Sequence, residues 1–319
     1  MIKKENLIFL VWLQILLVTG CKENKMDFKI TEQKELTGIA SASGIEATNV
    51  GIFVIGDNSP FLFGLNFQME MEEKILLFPG SQKPDSLYEK LAKPDLEALT
   101  KTDETGQLLY TFGSGSKSPE RDILIEIDRV DTGKVKEYPL TEFYRELRTL
   151  AHLAPESLNI EAAVIFKDDL FLFNRGENLL FTYSLSAFKK YLEGQGPIPK
   201  PKIFKIILPK IKGIPAGFSG AAFNGGNETI IFTATVEDTP NWIDEGEVLG
   251  SFLGVIPLKE LKDQFRPGYV AIGTKERHLP IKVESVTVLP PYTKTKANLI
   301  LVTDSDGGIS EFLKGELTF

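Results

Sequence analysis

Asn159-Ile160-Glu161-Ala162-Ala163-Val164-Ile165-Phe166 is an apolar run interrupted by one acid, and its first five residues recur in altered form four more times. The counterparts are Ser43-Gly44-Ile45-Glu46-Ala47, Asp95-Leu96-Glu97-Ala98-Leu99, Gly217-Phe218-Ser219-Gly220-Ala221 and Lys282-Val283-Glu284-Ser285-Val286. With Glu46, Glu97, Glu161, Ser219 and Glu284 aligned, the separations are 51, 64, 58 and 65 residues. Each copy leads into a turn and then further apolar, β-rich segments. A repeat of this length, holding several strands, reads as one blade of a β-propeller.

Working outward, five such units account for the strand signals. Blade one is expected to contain the Glu46 segment, 51–56, 61–67 and 74–78; blade two 96–101, 108–112, 123–130 and 135–140. Blade three takes 160–166, 170–174, 179–185 and 202–208; blade four 218–223, 229–236, 250–257 and 269–274. Blade five has three strands of its own, 282–289, 298–303 and 309–319, and its fourth is available in 27–36 at the other end of the chain. The expected fold is therefore all-β, a five-bladed propeller over 27–319, closed by pairing of the N- and C-terminal strands so that no sheet edge stays open. Two inserted helices are expected, 141–154 with a Thr cap and 184–192, followed by a Gly- and Pro-rich loop at 194–201.

The amino end reads as an export signal over 1–20. Lys3 and Lys4 precede a short apolar stretch, Leu7 to Val18, that ends in Val18-Thr19-Gly20-Cys21. That stretch is too short to span a bilayer. The last four residues resemble the lipobox of bacterial lipoproteins, which implies acylation of Cys21, a tether over 21–26 and a membrane-anchored, exported protein of the cell envelope. Cys21 is the only cysteine, so no internal disulfide can form. Net charge is −8, and no basic footprint for nucleic acid is present.

In a propeller the innermost strands line a central channel, so a polar residue repeated once per innermost strand becomes a ring. Carboxylates converging there repel and take up protons unless a cation neutralises them. Calcium, which accepts roughly six to eight oxygen ligands in flexible geometry, suits Glu46, Glu97, Glu161, Ser219 and Glu284 better than magnesium or zinc. The alternative is a belt of glutamates bonded to backbone amides and channel water.

The motifs Gly217-Phe218-Ser219-Gly220, Ile160-Glu161-Ala162-Ala163 and Lys282-Val283-Glu284-Ser285 resemble the inner-strand motifs of soluble calcium-activated nucleotidases (apyrases). The resemblance implies a five-bladed propeller with a central calcium held by Glu97, Glu161, Ser219 and Glu284. At the first blade the family pattern has Ser; Glu46 is read here, and the nearby Ser43 leaves the register open.

Loops between the second and third strands share the face of the ring. They offer Asp57 and Asn58, Ser116, Lys117 and Arg121, Asn174 and Arg175, and Asp304 and Asp306 as ligand-binding candidates for a small anion. Arg121 and Arg175 suit bidentate contact with phosphate or carboxylate, and Gly113-Ser114-Gly115-Ser116 suits a backbone anion nest. Solvated hairpin turns are the plainer account of the same loops. No P-loop lysine follows the glycines. The scarcity of histidine speaks against a Ser–His triad, since His152 and His278 are the only two. The expected function is a calcium-dependent phosphohydrolase-like activity on a small phosphorylated ligand; the alternative is a non-catalytic surface module for a glycan, peptide or protein. Trp242 is the one aromatic residue that stands out near the rim.

Overall fold

The computed structural model describes residues 26–78, 87–88, 93–103, 105–130, 134–239, 246–273, 281–304 and 310–319. Five four-stranded antiparallel sheets form a five-bladed β-propeller. Innermost strands are Ala42–Ala47, Leu96–Lys101, Ile160–Phe166, Gly217–Asn224 and Lys282–Leu289, and each contacts its neighbour around the whole circle. They and the second strands have sheet on both sides, which is why Ala42–Ala47 and Ile52–Gly56 are buried at every position. Outermost strands such as Met71–Leu76 face water and carry charges. Uninterrupted apolar runs thus mark the inner half of a blade, and polar strands its rim.

Blade five is completed by Asp27–Glu35, which pairs antiparallel with Glu311–Thr318 from Asp27 opposite Thr318 to Glu35 opposite Glu311. The two ends of the chain therefore share one sheet, and the ring is closed by pairing of the N- and C-terminal strands. Small residues let the inner strands approach. A Cβ on Gly220 would lie 2.4 Å from Ser285 Cα in the next blade, so a larger side chain would force blades four and five apart.

Two helices, Thr141–Ala151 and Leu185–Leu192, cover the junction of blades two and three. Phe143 and Phe188 meet edge to face there, with ring centroids 5.2 Å apart. The first helix is capped differently from the sequence reading: Leu140 is its N-cap and no side chain caps it. It also ends earlier, at Ala151, where His152 takes a left-handed conformation that breaks the helix. A small hairpin, Lys210–Ile211 with Ile214–Pro215, was not foreseen. Among the described residues no helix is long and apolar enough to cross a membrane.

Candidate functional site

Every innermost strand carries one β-bulge, and all five bulges fall at the same structural position. Pairing with the second strand skips from Ala42 to Gly44, Leu96 to Ala98, Ile160 to Ala162, Phe218 to Gly220 and Val283 to Ser285. The residues left out of the ladder are Ser43, Glu97, Glu161, Ser219 and Glu284. A bulge frees one residue from the pleat and re-aims its side chain, so five bulges at one level build a ring.

Four of the five ring residues anticipated from the sequence therefore come together, and Glu46 does not. Glu46 lies three residues past the bulge of its strand, in regular pairing opposite Phe53. Its carboxylate meets Lys101 at 3.2 Å and lines a cavity at the far end of the channel. Ser43 takes the place assigned to Glu46. The two positions look alike in sequence because Gly44-Ile45-Glu46-Ala47 imitates the acid-then-alanine pattern of the other blades.

The ring side chains are treated unequally. Asn159 Nδ2 donates to Glu161 Oε1 at 2.6 Å, and Arg175 lies 3.8 Å from the same oxygen. Lys282 pairs with Glu284 at 2.8 Å. Ser43 Oγ donates to Leu96 O at 2.5 Å and Ser219 Oγ to Val283 O at 2.6 Å, each tying its blade to the carbonyl just before the next blade's bulge. Glu97 makes no hydrogen bond or ion pair with another described residue. Its carboxylate instead groups with Asp57 and Asp95, one oxygen of each lying within 4.8 Å of the others.

Electrostatics follow this geometry. Burial, then Asp95, Glu161 and Asp57, push the Glu97 carboxyl well above the usual range. Burial also pushes Glu161 up to about 8, outweighing the pull of Arg175. Burial presses Asp95 the same way, but Lys93 and Arg121 overcome it and hold that carboxyl low. Lys93 sits among the acids, paired with Asp57 and, at 2.7 Å, with Asp95. Burial disfavours its charge, yet Asp95, Glu97 and Asp57 together hold the ammonium above its usual value. Asp57 Oδ1 is buried with no hydrogen-bond partner among the described residues.

The rim residues divide into three groups. Asp57, Ser116, Arg121 and Arg175 border the ring. Arg121 is held by Asp95 at 2.6 Å and by Ser116 at 2.7 Å, while Arg175 donates to Glu237 at 2.8 Å. Asn58 and Asn174 organise loops: Asn58 Nδ2 reaches Ser41, and the buried Asn174 accepts from the Asn159 amide at 2.6 Å. Lys117 pairs with Glu120 in an exposed turn, at 3.1 Å. Asp304 ends its strand opposite Lys282. Asp306, Cys21, Trp242 and His278 lie outside the described residues.

Sequence reading named Ser43 only as an open alternative to Glu46, and gave no site role to Lys93, Asp95, Glu237 or Lys282. One signal was available: the residue two places before each bulge reads Ser41, Asp95, Asn159, Gly217 and Lys282, a repeat position that supplies the partner of Glu161 and of Glu284 and a second acid beside Glu97. Glu237, a charge at the end of the otherwise apolar strand Thr229–Asp238, bridges toward Lys282 at 3.8 Å.

The model of a family described as a family of unknown function (DUF6929) matches residues 38–317, and the chain belongs to that family. No curated protein sequence matches it. Among solved structures it is similar to glutaminyl cyclase from Myxococcus xanthus, with a TM-score of 0.52 over 92% of this chain and 97% of that one, at 9% identity. It also matches an inactive virginiamycin B lyase from Staphylococcus aureus with quinupristin, with a TM-score of 0.39 over 92% of this chain and 100% of that one, at 11% identity. At such identities the likeness concerns the propeller fold alone.

Proposed function

We propose that, in this member of a family of unknown function, the bulge-level mouth of the channel binds a divalent cation at Asp57, Asp95 and Glu97, with calcium favoured. The observation that carries this reading is Glu97, the one ring glutamate with no hydrogen bond or ion pair to another described residue, grouped with Asp57 and Asp95 around the single ammonium of Lys93. A half-buried carboxylate crowded by other acids gains from keeping its proton or from a further counter-ion. The orphaned Asp57 Oδ1 beside it adds a second unused acceptor. An all-oxygen, anionic donor set suits calcium in flexible coordination. Glu161 and Glu284 fit less well as principal ligands, because Arg175 and Lys282 already meet their charge. Lys93 occupies the middle of the acidic group, so cation uptake exchanges an ammonium for a divalent ion.

A bound calcium would supply Lewis-acid polarisation of a phosphoryl oxygen. That finer, apyrase-like reading, hydrolysis of a small phosphorylated ligand, is favoured by Glu161. A carboxyl at about 8 can hold or release a proton near neutral pH. Arg121 and Arg175 are engaged by Asp95 and Glu237, so capture of a phosphate there requires exchange of one anion for another. Export and acylation at Cys21 belong to the same proposal, and the intact mass of protein purified from membranes checks them.

Calcium titration of chelator-stripped protein, read by calorimetry and by thermal melting, tests the cation site. Saturable binding that disappears in Glu97→Gln is expected. Identical melting with calcium and with chelator would overturn the reading. If calcium binds but a phosphatase and nucleotidase screen stays blank, the non-catalytic module replaces the phosphohydrolase.

A further inference from the structure

The channel has a second mouth, at the end opposite the bulges. A cavity of about 310 Å³ opens there, and every blade contributes to it: Glu46, Thr100, Val164, Phe223 and Tyr292 come from blades one to five in order. It is independent of the cation site, since these side chains lie three or more residues beyond the bulge of each strand.

One wall is aromatic. Phe166 and Phe223 stack with centroids 3.8 Å apart and planes 22° from parallel. Tyr292 is 39% exposed, and its ring runs over Gly225, where a Cβ would sit only 3.6 Å away. Glu46, Thr100 and Thr102 add polar residues to the lining. The charges at this mouth are matched locally: Glu46 pairs with Lys101 at 3.2 Å, Lys167 with Glu228 at 3.1 Å, and Asp103 accepts from the Thr105 and Gly106 amides. An ionic ligand would find no excess of opposite charge. A neutral ligand with one apolar face and a hydroxylated edge would find both surfaces it needs.

We propose that this second mouth is a carbohydrate subsite that takes one neutral pyranose ring. The C–H face of the sugar lies on Tyr292 and Phe223, where an aromatic ring offers broad, rigid apolar contact. Its hydroxyls donate to Glu46 and exchange hydrogen bonds with Thr100 and Thr102. The volume is at the lower end for ligand pockets, which run from roughly 300 to 1,000 Å³, and this fits a single ring rather than a buried oligosaccharide.

Saturation-transfer NMR on the full chain with glucose, galactose, mannose and N-acetylglucosamine tests this. At least one sugar is expected to receive saturation on its ring protons. Tyr292→Ala, a change at an exposed side chain, is expected to weaken that sugar at least tenfold with unfolding unchanged, and Glu46→Gln to weaken it severalfold. Glu97→Gln, at the other mouth, is expected to leave it untouched. Absence of transfer to all four sugars overturns the proposal, as does binding that survives Tyr292→Ala or is lost in Glu97→Gln.

Discussion

Glu97 and Glu161 occupy the same position in adjacent blades, yet their surroundings treat them in opposite ways. Two residues before Glu161 stands Asn159, which donates to it at 2.6 Å; two residues before Glu284 stands Lys282, which pairs with it at 2.8 Å. Two residues before Glu97 stands Asp95, a second acid. The bulge delivers a carboxylate to the channel in all three blades, but in blade two the preceding residue adds a second acid instead of a partner, and one ammonium, Lys93, serves the whole group. A repeat architecture can thus hold answered and unanswered copies of one residue, and the unanswered copy is where an external ion or ligand has most to gain.

The largest expected effect breaks the answered side. Arg175 stands between Glu161 and Glu237 and is 6% exposed. Arg175→Met leaves both carboxylates buried without their cation, at a cost of about 3–5 kcal/mol in denaturant unfolding. A loss below about 1 kcal/mol would mean that blade three does not depend on its own cation, and the contrast with blade two would vanish.

Next in size is a pH effect. The Glu161 carboxyl rises from 4.5 to about 8 on folding, chiefly through burial. Between those values the folded state holds a proton that the unfolded state has released, so stability falls as pH rises and levels off above the folded value. From pH 6 to pH 8 the expected loss is about 2 kcal/mol, since one pKa unit corresponds to about 1.4 kcal/mol and the folded group is already half ionised at pH 8. Glu97, pushed the same way, adds to that slope. Unfolding measured across the range checks this, and Glu161→Gln is expected to flatten the profile. A stability that instead climbs between pH 6 and 8 would show that Arg175 outweighs burial.

Five blades and their closure by 27–36 could be read from the chain because each inner strand is a largely apolar run carrying a polar residue at a repeated place, and such repeats have few other homes. The site was less readable. Glu97, Glu161, Ser219 and Glu284 stood out because a polar residue inside an apolar strand is conspicuous. Ser43 did not, because Glu46 nearby was the louder signal and only the bulge position separates them. The partners were harder still. Lys93 and Asp95 lie before the strand, and Glu237 at the far end of another, so their convergence depends on how blades face one another. Arg121 and Arg175 suggested anion binding as isolated residues, whereas the folded chain supplies them with Asp95 and Glu237.

The two ring serines sharpen the comparison at lower energy. Ser43→Ala removes the donor to Leu96 O, and about 1–2 kcal/mol is expected for leaving that carbonyl unmet. Ser219→Ala should cost less, because Thr235 also donates to Val283 O, at 2.9 Å. Equal losses would mean that these hydroxyls do not join the blades through those carbonyls.

The smallest intrinsic effect is the most informative. Glu97→Gln removes a carboxylate that burial and three neighbouring acids disfavour, and it breaks no hydrogen bond or ion pair with a described residue. In chelator its stability is expected to stay within about 0.5 kcal/mol of wild type, as for a change away from any paired feature. Glu161→Gln, by contrast, leaves Arg175 and Asn159 with a weakened acceptor. Calcium should then separate the two blades in the other direction. Binding to the folded state alone adds about 2.7 kcal/mol when the free ion stands at a hundred times its Kd, so wild type should gain that much at such a concentration. Glu161→Gln should keep most of the gain and Glu97→Gln should lose nearly all of it. If Glu97→Gln proves costly in chelator, Glu97 has a partner in the folded protein and the asymmetry is wrong. If both variants lose the calcium gain equally, the ion is shared by the whole ring rather than held on the side of blades one and two.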